Sequence, residues 1–213
     1  MKVLISSLLA TGIVFGAAAA KADATNDIQA APKNAFIEEF DNTLAPLQYV
    51  KFCMNYSAEC ETRSDQQSLP SSDRAMEMLR EINTSVNEAI SPVKKPTDPM
   101  SAHWTLSPAA GDCNDYAVTK RHALVAKGWP QSSLRLAVVR TDSGQGHLVL
   151  VVRLADGDVV LDNLSPAVRK WNAPAYEWIS MQSSSDQRFW VAIGRHGERL
   201  RANRLASAGK SPL

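Results

Sequence analysis

Between Asp112 and Leu161 the chain changes its period, and that change restricts the fold more than any other feature. Asp112 is a good N-cap residue, Asp115 adds a second carboxylate in the first turn, and Tyr116 to Lys127 runs without Gly or Pro up to Gly128, with Pro130 beyond it. The spacing predicts a helix. Directly afterwards the pattern becomes extended: Leu134 to Arg140, then His147 to Leu154 as a nearly unbroken apolar run, then Asp158 to Leu161 beyond the turn signal Asp156-Gly157. Phe189 to Ile193 adds a further strand. One helix followed by an antiparallel run of strands predicts an α+β fold with the helix laid on the sheet.

That helix carries a cysteine at its mouth. In GDCNDYA, Gly111 to Ala117, Cys113 shares a stripe with Ala117, Lys120 and Leu124 at about 100° per residue, so it lies on the face that packs inward. A thiol at a helix N-terminus meets the positive end of the dipole and unpaired amide donors, which favour thiolate, while the two flanking carboxylates oppose it. A nucleophile at neutral pH therefore needs a cationic partner, most naturally a histidine. His122, nine residues along the same helix, is about 180° round and roughly 13 Å away. His103 lies in the proline-rich loop from Val93 to Ala110, beside Trp104, and His196 lies in a polar tail that reads as mobile. His147 opens the apolar strand after the bend Ser143-Gly144-Gln145-Gly146, a rigid place from which to present an imidazole.

Asp162 is the candidate third group. Directly opposed residues of an antiparallel pair share a face, so the register decides whether Asp162 and His147 meet. A two-residue Asp156-Gly157 turn leaves them out of step, whereas a four-residue loop, Leu154 to Gly157, or a bulge places Asp162 opposite Val149 and within diagonal reach of His147. The longer loop or bulge is the expectation. Asp162 would then fix the tautomer of His147 and favour the imidazolium.

Met1 to Ala22 has the form of a secretory signal peptide, with Lys2 as the basic start, Val3 to Phe15 as the apolar run and small residues at its end. An exported chain, periplasmic or secreted, is expected, with a disordered leader at 23–34, one domain at 35–200 and a flexible tail at 201–213. In an oxidising compartment Cys53 and Cys60, seven positions apart, read as a structural disulfide, which leaves Cys113 as the odd thiol. Ser72 to Ile90 has helical spacing and ends at Pro92; it reads as packing. A formal charge of +1 argues against a nucleic-acid partner recruited by bulk positive field.

Taken in order, GDCNDYAVTKRHALVAKGWP, GHLVLVV and VVLDNLSP resemble the bacterial transglutaminase-like cysteine proteinases, and the likeness extends to FCMNYSAEC, Trp104 and Trp190. The resemblance implies a papain- or transglutaminase-like domain with a Cys-His-Asp triad at Cys113, His147 and Asp162. It implies a periplasmic endopeptidase that releases large surface adhesins at a small-residue site containing paired alanines, thereby controlling biofilm attachment, and is held by an inner-membrane receptor. It also implies calcium beside the nucleophile, on Asp112 and Asp115. This chain departs from that pattern at Asn114, where the calcium-dependent members carry Glu, so one formal charge is lost and calcium is expected as a non-obligatory ligand. The residues leave two alternatives open: acyl transfer to an amine by a transglutaminase or amidase on the same triad, and a non-catalytic binding module.

Overall fold

The computed structural model describes residues 35–61, 69–96, 98 and 100–208. The expected signal peptide and leader lie outside the described residues. Strand β1 (Glu39–Thr43), helix α1 (Leu47–Asn55) and helix α2 (Asp73–Ala89) lead into two short strands, β2 (Ser91–Pro92) and β3 (Ala110–Gly111), and then helix α3 (Cys113–Ala126). Strands β4 (Leu134–Arg140), β5 (Gly146–Leu154), β6 (Gly157–Asp162), β7 (Ser165–Lys170), β8 (Glu177–Gln182) and β9 (Trp190–Ile193) follow, and helix α4 (Gly194–Ala208) comes last.

Seven strands form one antiparallel sheet in the order β1-β9-β8-β4-β5-β6-β7, while β2 and β3 pair in parallel at the foot of the α3 start. The fold is α+β, as the change of period predicts, with α3 packed on β4, β5 and β6. Strand β5 is covered on both faces, which is why it lacks polar alternation. Leu148, Leu150 and Val152 join Leu161, Leu79, Ile82 and Leu124 in one core, whereas Val149 and Val151 join Val160, Val139 and Ile193 in a second.

The helix signals are realised locally. Ser72 caps α2 by accepting from the Ala75 amide, and Gly128, at a φ of +85°, takes the left-handed conformation that ends α3. Besides α4 and the two-residue strands β2 and β3, four elements have no counterpart in the sequence reading. Strands β1 and β7 are the two sheet edges, half-polar and short, and α1 starts at Pro46 without a side-chain cap. Strand β8, by contrast, is mostly buried but mixes Glu177, Ser180 and Gln182 with its apolar residues, so no period shows.

Helix α4 corrects two expectations. Residues 201–208 of the presumed flexible tail are helical, and His196 lies within the same helix. Its sequence is polar with weak periodicity, so it is held by tertiary contacts: α4 packs on β1, β8 and β9, and Arg204 pairs with Asp41 at 2.5 Å.

Cys53 and Cys60 are disulfide-bonded, and Cys113 is the free cysteine. The bridge closes the corner after α1 against the back of α3. There Glu59 accepts from buried Arg121 through its carbonyl at 2.6 Å and pairs with His122 at 2.6 Å. Among the described residues no helix is long and apolar enough to cross a membrane. Cys53→Ser removes a short loop closure worth about 2 kcal/mol and should lower Tm by about 4–8 °C under oxidising conditions. A melting curve superimposable on wild type would count against a stabilising role for the bridge.

Candidate active site

The start of α3 is fixed by reciprocal capping. The Asp112 carboxylate accepts from the Asn114 amide at 3.1 Å, and Asp115 accepts from the Asp112 amide at 2.8 Å. Asp115 is fully buried and takes two further partners: the Thr105 amide at 2.8 Å, and the Lys95 ammonium, 2.9 Å from each carboxylate oxygen. Gly111 is required for this approach, since a Cβ there would lie 2.6 Å from Asp115 Oδ2. The inward stripe is as expected: Ala117, Lys120 and Leu124 are buried, and Cys113 at its head is half-buried.

The register of β5 on β6 then delivers the other two groups. Leu154 pairs with Gly157 and Leu150 with Leu161, so Asp162 comes one step beyond, level with Val149 and diagonal to His147. This is the register anticipated from the longer loop, reached with a tighter turn of Ala155 and Asp156 alone. His147 Nε2 lies 2.8 Å from Asp162 Oδ1, with both residues buried, and His147 and Cys113 line the same cleft.

Burial pushes His147 down, but its hydrogen bonds to Asp162 and Cys113, with their charges, outweigh that and raise its pKa to about 9. Burial pushes Asp162 up, but hydrogen bonds from His147, the Leu164 amide and the Tyr176 hydroxyl bring it down to about 2. The pair is therefore an imidazolium and a carboxylate at neutral pH.

Several residues that support this geometry have no signal in the sequence. Tyr176 donates its hydroxyl to Asp162 Oδ2 at 2.5 Å and stacks edge-on to His147 with ring centroids 5.8 Å apart. Asn83 of α2 accepts from the Asp162 amide at 3.1 Å, and Asn87 donates to the Asp162 carbonyl at 3.0 Å. Both asparagines sit on a helix that reads as pure packing. His122, engaged by Glu59, and His103, 3.1 Å from the Ser101 carbonyl through Nδ1, are elsewhere, while Trp104 is buried in the core. Asp112 and Asp115 flank Cys113 as expected, but among the described residues no group of three or more His, Cys, Asp or Glu could hold a metal ion.

Cys113 and His147 line a cleft of about 700 Å³ with Val93, Gly146, Asn163 and Leu164. A thiol that shares a cleft with an imidazole held by a buried carboxylate is the arrangement of a thiol hydrolase. The sequence matches the family model of the bacterial transglutaminase-like cysteine proteinases (BTLCP) over residues 39–198. The chain belongs to that family and is a cysteine peptidase. It is similar to solved structures of Legionella pneumophila LapG. The calcium-bound form has 18% identity over 72% of this chain and 84% of that one, with a TM-score of 0.48. The EGTA-treated form has 20% identity over 72% of this chain and 81% of that one, with a TM-score of 0.46. A search of curated protein sequences found no match.

Linkage through the pair has a definite sign. The raised His147 pKa gives stability that is fully present below its ordinary value of 6.5 and lost as pH rises through about 9. The lowered Asp162 pKa gives stability that is present above 3.8 and lost as pH falls through about 2. Wild-type Tm should therefore decline from near pH 6.5 towards pH 9, and Asp162→Asn should flatten that decline. Parallel pH–Tm curves for the two proteins would show that the pair is not linked to folding.

Proposed function

We propose that this chain is an exported endopeptidase that cleaves an envelope or surface protein through a Cys113-His147-Asp162 triad. The observation that carries the reading is that Cys113 from α3 and His147 from β5 line one cleft while buried Asp162, at the end of β6, holds the imidazole from behind at 2.8 Å. Cys113 as thiolate attacks the scissile carbonyl, and His147 gives its proton to the leaving amine while Asp162 keeps the ring oriented. Water, deprotonated by the same imidazole, then resolves the thioester and regenerates the thiol. The Asn114, Asp115 and Tyr116 amides are committed to Asp112, which leaves the Cys113 amide as the helix-start donor for the oxyanion.

The cleft suits an extended, small-residue segment. Its wall at Gly146 has no side chain to obstruct a backbone, and Val93 and Leu164, 45% and 61% exposed, offer apolar contacts in its lining. Such a segment fits the paired-alanine region of a large adhesin, and a periplasmic location with an inner-membrane receptor completes the proposal. The form of Met1 to Ala22 supports export.

Cys113→Ala should melt like wild type and lose hydrolysis of an adhesin N-terminal fragment by about a thousandfold or more. Iodoacetamide should alkylate wild-type Cys113 faster than it does a free cysteine, and His147→Ala should abolish that advantage. A folded-state rate no greater than that of the free amino acid would favour a binding module. Capture of the acyl group by an added amine in preference to water would make the chain a transferase.

A further inference from the structure

Lys95 leaves the short strand β2 along the loop that reaches Trp104, and its side chain turns into the cleft wall. Its ammonium contacts both oxygens of Asp115 at 2.9 Å and the His103 carbonyl at 2.8 Å. The Lys95 side chain is 14% exposed and that of Asp115 is not exposed at all. The Thr105 and Asp112 amides supply the remaining donors, so each oxygen of Asp115 accepts two hydrogen bonds. Asn114, the residue between Cys113 and Asp115, turns its amide nitrogen and not its carbonyl to the neighbouring carboxylate, donating to Asp112 Oδ1 at 3.1 Å.

A calcium ion needs six to eight oxygen ligands with lone pairs directed at it. The acidic start of α3 presents instead a buried carboxylate saturated by donors, one of them a full positive charge. An ammonium and a divalent cation cannot share that carboxylate, because each repels the other at contact distance in a poorly screened place. The residues as arranged therefore do not fit calcium.

We propose that Lys95 is the resident cation of this site: it neutralises Asp115, thereby fixes the start of α3 and the field at Cys113, and frees the peptidase from any need for calcium. Lys95 is a positioning residue, acting through Asp115, and the proposal rests on Cys113 being the nucleophile. Without the lysine, a buried negative charge two residues from the sulfur would oppose a thiolate.

The test compares the full chain with Lys95→Met and Lys95→Arg, measuring Tm, the pH profile of Cys113 alkylation by iodoacetamide, and terbium luminescence, each in EGTA and in millimolar calcium or terbium. Wild type should give the same Tm and alkylation profile in EGTA and in calcium, with no sensitised terbium emission. Lys95→Met should lower Tm by about 6 °C or more. It should also slow alkylation at neutral pH about tenfold, with the profile displaced to higher pH. Lys95→Arg should restore most of both. Calcium that raises wild-type Tm or alkylation, or terbium bound by wild type, would overturn the proposal even if Lys95→Met does not fold. So would Lys95→Met with a wild-type alkylation profile. A wild-type Cys113 that is unreactive in both EGTA and calcium would instead sink the peptidase mechanism, while the metal arms would still decide what Asp115 holds.

Discussion

The register of β5 on β6 is the constraint on which the site depends. Side chains alternate along a strand, so a slip of one residue would carry Asp162 to the face opposite His147. The pairing is fixed from both ends of the hairpin. At the turn, Leu154 opposes Gly157, the Asp156 side chain is bonded to Ser71, and the Asp158 amide is bound to the Ala35 carbonyl at 2.8 Å. Along the strands the two cores discriminate between registers, because a slip would exchange the leucines facing the helices for the valines on the other face. At the far end, Asn83 holds the Asp162 backbone to α2. A hydrogen bond of 2.8 Å between His147 and Asp162 is thus the local expression of packing along the whole hairpin.

The sulfur arrives by a different route. Helix α3 is placed by its apolar stripe on β5 and by Arg121, whose guanidinium reaches the Leu134 carbonyl, the Glu59 carbonyl and Gln187 from a fully buried position. Its first turn is placed by Asp115 and the donors gathered on it. Where the head of α3 comes up beside the hairpin, Cys113 lines the same cleft as a ring whose Nε2 is already committed to Asp162. The contacts that hold the α3 start and the His147–Asp162 pair do not run through the sulfur, which is why a neutral substitution there is compatible with an intact fold.

The centre of the site was legible in the sequence because its signals are local. An N-cap carboxylate, a glycine stop and an unbroken apolar strand each act within a few residues, and together they point to Cys113 and His147, with Asp162 following from the register of the hairpin. The supports were not legible because they depend on long-range contact. Tyr176 precedes a strand that carries no period, and Lys95 lies in a loop with no regular pattern. Asn83 and Asn87 occur on a helix whose hydrophobic spacing explains it without them. Helix α4 was misread for the same reason: a polar segment with weak periodicity reads as tail until β1, β8 and β9 give it something to lie against.

Charge is compensated at each step across the site. Lys95 answers Asp115, His147 answers Asp162, and Tyr176 adds a donor to the second oxygen of Asp162. Lys120 is the exception. It lies on the inward stripe of α3, its ammonium has no hydrogen-bond partner among the described residues, and burial brings its pKa down to about 7, with the Asp162 charge opposing the fall. A buried amine without an acceptor is tolerable only where it can lose its charge or feel a nearby carboxylate, and Lys120 has both outlets. Its charge state is therefore tied to that of Asp162: as long as the carboxylate is ionised, the lysine is held closer to protonation.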